Sequence, residues 1–211
     1  MRLSRYGIVL DSLSSDHVEM VRLWRNQEFV RNNMEFKEHI TREAQESWYQ
    51  SLDFEKNLYW LIRTHDYPVG LIHIKNIDLD EMVGEAGVFV GEPSYLEMPQ
   101  PMLAILFMME LAFYALSFRQ LKAKIKSGNN RAIDFNEKLG YKLSSKQPEG
   151  FQYYDVSKDD FEQATSKLRQ QSRHMYGGQT TIEQSTVRTK LATRLVAGIQ
   201  DSESYFNPIF P

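Results

Sequence analysis

Apolar positions along the chain follow two periods, and each change of period marks an element. Residues 7–10 read as a first strand. From Asp16 the period lengthens to that of a helix: Val18, Val21 and Leu23-Trp24 share one side, Ser15 is placed to cap, and Trp24-Arg25-Asn26 closes the turn. A second helix is expected after Thr41, carrying Trp48-Tyr49 and ending at Leu52. Three β-branched and aromatic stretches follow, residues 58–64, 69–78 and 84–91, divided by turn residues at His65-Asp66-Tyr67-Pro68 and Leu79-Asp80-Glu81. They predict a three-strand meander. Residues 101–117 form the most apolar helical stretch, and Pro101 suits its first turn because that N–H has no helical partner. Residues 121–126 predict a strand, the segment from Asn129 a short helix, and residues 141–143 with 151–156 a final strand pair around Pro148-Glu149-Gly150.

These elements fill residues 1–157, and residues 158–211 form a helical extension. Phe161, Ala164 and Leu168 lie at helical spacing before a break at Gly177-Gly178. Thr180-Thr181-Ile182-Glu183 has the form of a capping box, and Val187, Leu191, Leu195 and Ile199 recur every four residues. With the aromatic tail Tyr205, Phe206, Ile209 and Phe210, this stripe must cover the core of its own chain or a second subunit. The Gly-Gly break favours exchange between subunits, and the expectation is a homo-oligomer.

Composition narrows the chemistry. A hydrophobic content of 42% over 211 residues supports a sizeable core. The net charge of −3, with signs interspersed, argues against nucleic acid or an anionic membrane as partner. No apolar run approaches the roughly 20 residues that span a bilayer, and the first residues lack the pattern of a signal peptide, so the expected location is cytoplasmic. With no cysteine, disulfides, thiolate metal sites and a cysteine nucleophile are all excluded. No metal-ligand spacing is present, and the expected partner is a small-molecule amine.

The segment Asn129-Asn130-Arg131-Ala132-Ile133-Asp134-Phe135-Asn136-Glu137-Lys138-Leu139-Gly140-Tyr141 is the most specific stretch. Asn129 is an N-cap, Ala132, Phe135 and Leu139 share a face, and Gly140 is placed for a left-handed C-cap. This segment resembles the GCN5-related N-acetyltransferase (GNAT) pattern Asn-x-x-Ala-x-x-x-Tyr-x-x-x-Gly-Phe, with Asn136 where that family most often has Tyr. The element order agrees over residues 1–157. The resemblance implies an α/β (α+β) GNAT fold, a central mixed and mostly antiparallel sheet with flanking helices, here with a C-terminal helical extension. It also implies acetyl-CoA as co-substrate and direct transfer to a primary amine.

Within that resemblance the strand Gly84–Gly91 is the one whose exposed backbone pairs with the pantetheine arm, through Gly87, Val88, Phe89 and Val90. Its period of two places Glu85, Gly87, Phe89 and Gly91 on one face. Glu85 is the expected general base, because an alkylammonium with a pKa of about 10.4 must lose a proton before it attacks a thioester. The family's glycine-rich phosphate loop is missing, as Ser94–Ala104 contains no glycine and has prolines at 99 and 101. The amides of Gln100, Met102, Leu103 and Ala104 remain as candidate phosphate donors. Asn129, Ala132, Phe135 and Asn136 complete the implied cofactor side, Asn136 as a hydrogen-bonding catalytic residue because an amide is no general acid. Tyr141 and Tyr114 are alternative acids.

Trp24-Arg25-Asn26, Trp48-Tyr49 and the strand containing His73 resemble acetyltransferases of nucleotide-linked amino sugars in bacterial surface-sugar pathways, of the pseudaminic-acid type. Arg25 would meet a diphosphate, while Trp48, Tyr49 and Phe36 would stack on a ring. Two alternatives stay open: a protein N-terminal acetyltransferase, and a non-catalytic CoA-binding or scaffolding module.

Overall fold

The computed structural model describes residues 1–65, 67–146, 150–183 and 189–207. Asp66, Pro148-Glu149, Val187, Ile209 and Phe210, which carry expected turns and apolar surface, lie outside the described residues.

The chain opens on a hairpin, β1 (Arg2–Arg5) and β2 (Ile8–Ser12), that turns through Tyr6 and Gly7 at φ of 57° and 71°. Gly7 is thus a turn residue and not the start of the first strand. Two positive φ angles match the twist of a tight hairpin, and a tyrosine in the first of those positions hid the signal. A 3₁₀ turn (Ser15–His17) leads into α1 (Val18–Asn26) and a short α2 (Glu28–Arg31). Thr41 caps α3 (Arg42–Gln50) by accepting from the Ala44 amide at 3.2 Å. The expected meander is β3 (Leu58–Thr64), β4 (Tyr67–Asp78) and β5 (Val83–Val90). Helix α4 (Pro99–Glu110) runs into a π-helical turn, Leu111–Ala115, and starts two residues before the expected Pro101. Then come β6 (Gln120–Lys126), α5 (Asn130–Lys138), β7 (Lys142–Lys146), β8 (Phe151–Ser157) and α6 (Lys158–Tyr176). The extension continues as β9 (Thr181–Glu183), α7 (Lys190–Asp201) and α8 (Glu203–Phe206).

The described strands form one sheet in the order β7-β8-β6-β5-β4-β3-β2-β1-β9. Every neighbouring pair is antiparallel except β5 and β6, which are parallel. Strand alternation sends Ile72 and Ile74 of β4 into a large core with Leu106 and Phe107 of α4, and Leu71 into a smaller core with Val21, Trp24 and Tyr59 on the opposite face. No described helix is long and apolar enough to cross a membrane.

The extension belongs to the large core. Leu191, Leu195, Ile199 and Phe206 are buried there beside Phe113 and Phe161. The described part of the stripe, with Tyr205 and Phe206 of the tail, therefore packs against the core of its own chain, one of the two coverings expected for it. Thr181–Glu183, expected to cap a helix, instead pairs antiparallel with Arg2–Ser4, because the edge of β1 offers unpaired backbone groups that a local capping pattern cannot sense. The cap of α7 is Thr189, whose hydroxyl accepts from Ala192 N at 3.0 Å. Glu55 reinforces that end by accepting from the Lys190 and Leu191 amides at 3.1 and 3.3 Å.

A buried ion pair ties the two ends of the chain together. The Arg5 and Glu110 side chains are fully enclosed, with Nε 3.0 Å from Oε2. Tyr6 and Tyr205 donate to Glu110 Oε1 at 2.9 and 2.8 Å. Arg5 Nη1 donates to Gly178 O, to Thr180 Oγ1 at 2.9 Å and to Phe206 O at 2.8 Å. Removing one member of such a pair leaves the other charge buried and unpaired, at a cost of about 3–5 kcal/mol. Arg5→Met is expected to lose stability of that order in urea unfolding. A loss below about 1 kcal/mol would show that the pair does not anchor the extension.

Candidate active site

The one parallel pairing of the sheet is short. β5 and β6 are in register only from Val83–Gln120 to Glu85–Lys122. Beyond that point β5 stays with β4 as far as Val90, and β6 stays with β8 as far as Lys126, so the two strands part. The facing edges of residues 87–90 and 124–126 have no strand partner across the gap, leaving backbone donors and acceptors for an extended amide-bearing ligand. On the α4 side, Ala86, Val90, Met102, Ala132 and Phe135 are only partly buried against the large core, and Val88 and Met98 are exposed. An apolar channel with a bare strand edge fits the acyl-pantetheine arm of acetyl-CoA.

The other face of the split carries the polar residues. Glu85, the last residue paired with β6, forms an ion pair with Lys75 at 2.9 Å, and Asn76 Nδ2 donates to it at 3.4 Å. His73 lies across from Gly87, against Tyr59 with ring centroids 5.0 Å apart. A Cβ at position 87 would fall 2.5 Å from His73 Cε1 and Nε2, so the glycine makes room for this imidazole. Gly91 likewise makes room for the Trp24 ring. At both glycines the close approach is by the protein's own rings. His73 Nδ1 is buried without a hydrogen-bond partner among the described residues. Burial, with the charges of Lys75 and Arg25, pushes the imidazole pKa down to about 3, so His73 is neutral at physiological pH.

Arg25 is partly buried and has no carboxylate or carbonyl partner among the described residues. Burial holds its pKa below the ordinary value. On β6, Leu121, Ala123 and Ile125 enter the core, so Lys122, Lys124 and Lys126 project to the face that carries Glu85. The loop after α2 reaches that lysine row: Lys124 Nζ meets Glu35 at 2.7 Å and Lys126 Nζ donates to Asn32 O at 2.9 Å. Its other end is pinned to α1, where Asn26 donates to Ile40 O at 2.9 Å and accepts from Ile40 N at 2.8 Å. The loop therefore bridges the split, with Phe36 exposed on it.

Several expected site residues have structural partners instead. Trp24 is 3% exposed, donates to Glu92 at 2.9 Å and packs edge-on against Phe89, so its ring is closed to a ligand. Both polar ends of the Asn26 amide are used on Ile40. Trp48 meets Tyr59 edge-on at 5.6 Å and Tyr49 meets Phe54 at 5.9 Å, both partly buried. Asn129 caps α5 through Ala132 N at 3.2 Å as expected. Asn136 donates one N–H of its amide to Ala132 O at 2.8 Å, which leaves its oxygen and the second N–H for a ligand. Tyr141 is buried, and burial pushes Tyr114 up to about 12 while its hydroxyl donates to Glu162 at 3.0 Å. Neither tyrosine replaces the missing acid.

The start of α4 also departs from expectation. Because the helix begins at Pro99, the amides of Met102, Leu103 and Ala104 fall in its regular hydrogen-bonding turns. Met98 N donates to Tyr95 O at 3.2 Å, and Pro99 and Pro101 have no N–H. Gln100 alone keeps a free amide, so the start of α4 does not fit a diphosphate as a glycine loop would.

His73 supplies a pH test. Its folded pKa lies below the usual 6.5, so the unfolded chain binds the proton more readily between those values, and stability falls as pH drops from about 6.5 towards 3. Imidazole NMR is expected to show His73 neutral down to pH 5, and His73→Gln to flatten the acid limb of stability. A His73 titrating near 6.5 would contradict the buried, unpartnered geometry.

Comparison with known proteins agrees with this geometry. The model of the acetyltransferase (GNAT) domain family matches residues 8–142, well over half of the chain. No curated protein matches the sequence. Among solved structures, spermidine N-acetyltransferase from Vibrio cholerae, in complex with CoA and spermine, has a TM-score of 0.66 at 11% identity, covering 74% of this chain and 99% of that one. An aminoglycoside acetyltransferase in complex with coenzyme A gives 0.65 at 17%, covering 74% and 98%. A domain from Methanocaldococcus jannaschii gives 0.64 at 21%, covering 71% and 97%. At such identities the likeness concerns the fold, and the family match carries the assignment. The split sheet, the capped α5 and that match together show that this chain belongs to the acetyltransferase (GNAT) domain family and is an N-acetyltransferase that uses acetyl-CoA.

Proposed function

We propose that the acceptor is a small primary amine that also carries negative charge, with a nucleotide-linked amino sugar as the chemical class that fits best. The observation that carries this reading is Arg25, a partly buried guanidinium without a carboxylate partner among the described residues, on the same face as the lysine row of β6. An unpaired cation in a half-buried site is costly unless an anion completes it, and its planar fork suits a phosphate. Two of the structures named above are, by their own descriptions, a spermidine N-acetyltransferase and an aminoglycoside acetyltransferase. Spermidine and aminoglycosides are polycations, and the charges around this split would repel them.

Acetyl-CoA supplies the acyl group as a thioester. In this reading Glu85 takes the proton from the acceptor ammonium, and Lys75 keeps its carboxylate turned along the strand at the mouth of the split. Tyr59 and His73 lie between the two charged ends of the site: the field of Arg25 acts on His73 and that of Glu85 on Tyr59. A neutral His73 offers a hydrogen-bonding edge to the acceptor without adding a charge that would repel its amine. Phe36 and the partly buried Trp48 are the available surfaces for a ring.

Transfer to a nucleotide-linked 4-amino sugar is expected to exceed transfer to spermidine, to an aminoglycoside and to a peptide amino terminus in kcat/KM. Equal or higher efficiency with a polycation would overturn the charge argument. Glu85→Gln should lower kcat on the order of a hundredfold with little change in KM, as expected of a base rather than a binding group. Arg25→Ala should show the reverse split, raising the acceptor KM about tenfold or more while kcat is largely kept. If Arg25→Ala leaves KM unchanged for the anionic acceptor, the guanidinium is not its anchor.

A further inference from the structure

We propose that Arg131 receives the diphosphate of acetyl-CoA, replacing the backbone amides that the start of α4 lacks. The inference concerns the acetyl donor and stands apart from the acceptor proposed above. At the start of α4, two prolines and the Met98–Tyr95 hydrogen bond leave Gln100 as the one free amide, and its side-chain Oε1 is buried without a partner among the described residues. Some other group must supply positive charge here if acetyl-CoA is to be held by its phosphates.

Arg131 is placed to do so. It lies in the first turn of α5, next to the Asn129 cap, and its side chain reaches across the mouth of the split to the segment that precedes α4. Nη1 contacts the Glu97 carboxylate at 2.6 Å, and Nη2 donates to Leu96 O. Both side chains of the ion pair are largely exposed, 59% for Arg131 and 86% for Glu97. An exposed pair contributes little to stability, so its guanidinium is readily given up to a stronger anion. A diphosphate offers more charge and paired oxygens that match the fork of an arginine. The hydrogen bond from Nη2 to the loop carbonyl of Leu96 holds the guanidinium beside the start of α4. Glu97 then acts as a competitor for Arg131 in the absence of the donor, and its carboxylate weakens donor binding.

Calorimetry with acetyl-CoA on the full chain, paired with kcat/KM for S-acetylpantetheine, tests this, because the second donor has the thioester and arm but no phosphate. Arg131→Gln is expected to raise the Kd for acetyl-CoA about tenfold or more and to leave kcat/KM for S-acetylpantetheine within about twofold of wild type. Glu97→Gln is expected to lower the Kd for acetyl-CoA, and Arg131→Lys to recover part of the loss. Unchanged acetyl-CoA affinity in Arg131→Gln would overturn the proposal. So would an equal loss with both donors, which would mark a change in the shape of the split rather than a lost phosphate contact.

Discussion

The site depends on one constraint: β5 and β6 cannot stay paired. Each is committed to another neighbour, β5 to β4 along most of its length and β6 to β8 from Gln120 to Lys126. They share only the three residue pairs that end at Glu85 and Lys122. A parallel pair is slightly weaker per residue than an antiparallel one, so the parallel contact is the one that yields where the sheet halves diverge. The gap then places an unpaired strand edge, an apolar flank and a carboxylate at one point. Nothing in the local sequence of either strand encodes a gap.

The two faces of that gap are chemically different because strand alternation makes them so. One face continues the large core and is apolar, as an acyl-pantetheine arm requires. The other gathers Glu85, His73, Arg25 and the β6 lysines, with His73 lodged over a glycine and the loop from Asn32 to Ile40 laid across. Lys124 and Lys126 spend part of their charge on holding that loop, and Arg25 does not. This difference separates the cation that has a structural partner from the one available to a ligand.

Far from the split, the extension closes the fold. β9 covers the edge of β1, α7 lies on the π-helical turn after α4, and Gly198 permits its close approach to the Ala115 backbone. Burying Arg5 and Glu110 is expensive, and the tyrosine hydroxyls and tail carbonyls around them offset much of that cost. The same contacts make the tail specific to one position, since only a chain segment presenting those carbonyls in that arrangement satisfies Arg5.

Hydrophobic period, caps and turn residues were enough to determine the order of the longer elements from β2 to β8, the faces of β5, the Asn129 cap and the Gly140 stop, because each depends on neighbours a few residues away. Gly140 is a case in point: its φ of 94° and the adjacent Asp160 carbonyl both exclude a side chain. Tertiary structure alone decided which polar groups are free. Trp24 and Asn26 are typical ligand-binding residues by type, yet one is enclosed by Gly91 and Phe89 and the other is consumed by Ile40, 14 residues away in the chain. The donors at the start of α4 were misjudged because a shift of two residues in the helix start moves the Met102 and Leu103 amides from free to bonded positions. The pairing of Thr181–Glu183 with β1, and of Arg5 with Glu110, joins residues more than a hundred positions apart. Period and spacing report only local geometry, and contacts at such separations are set by the packing of the whole chain.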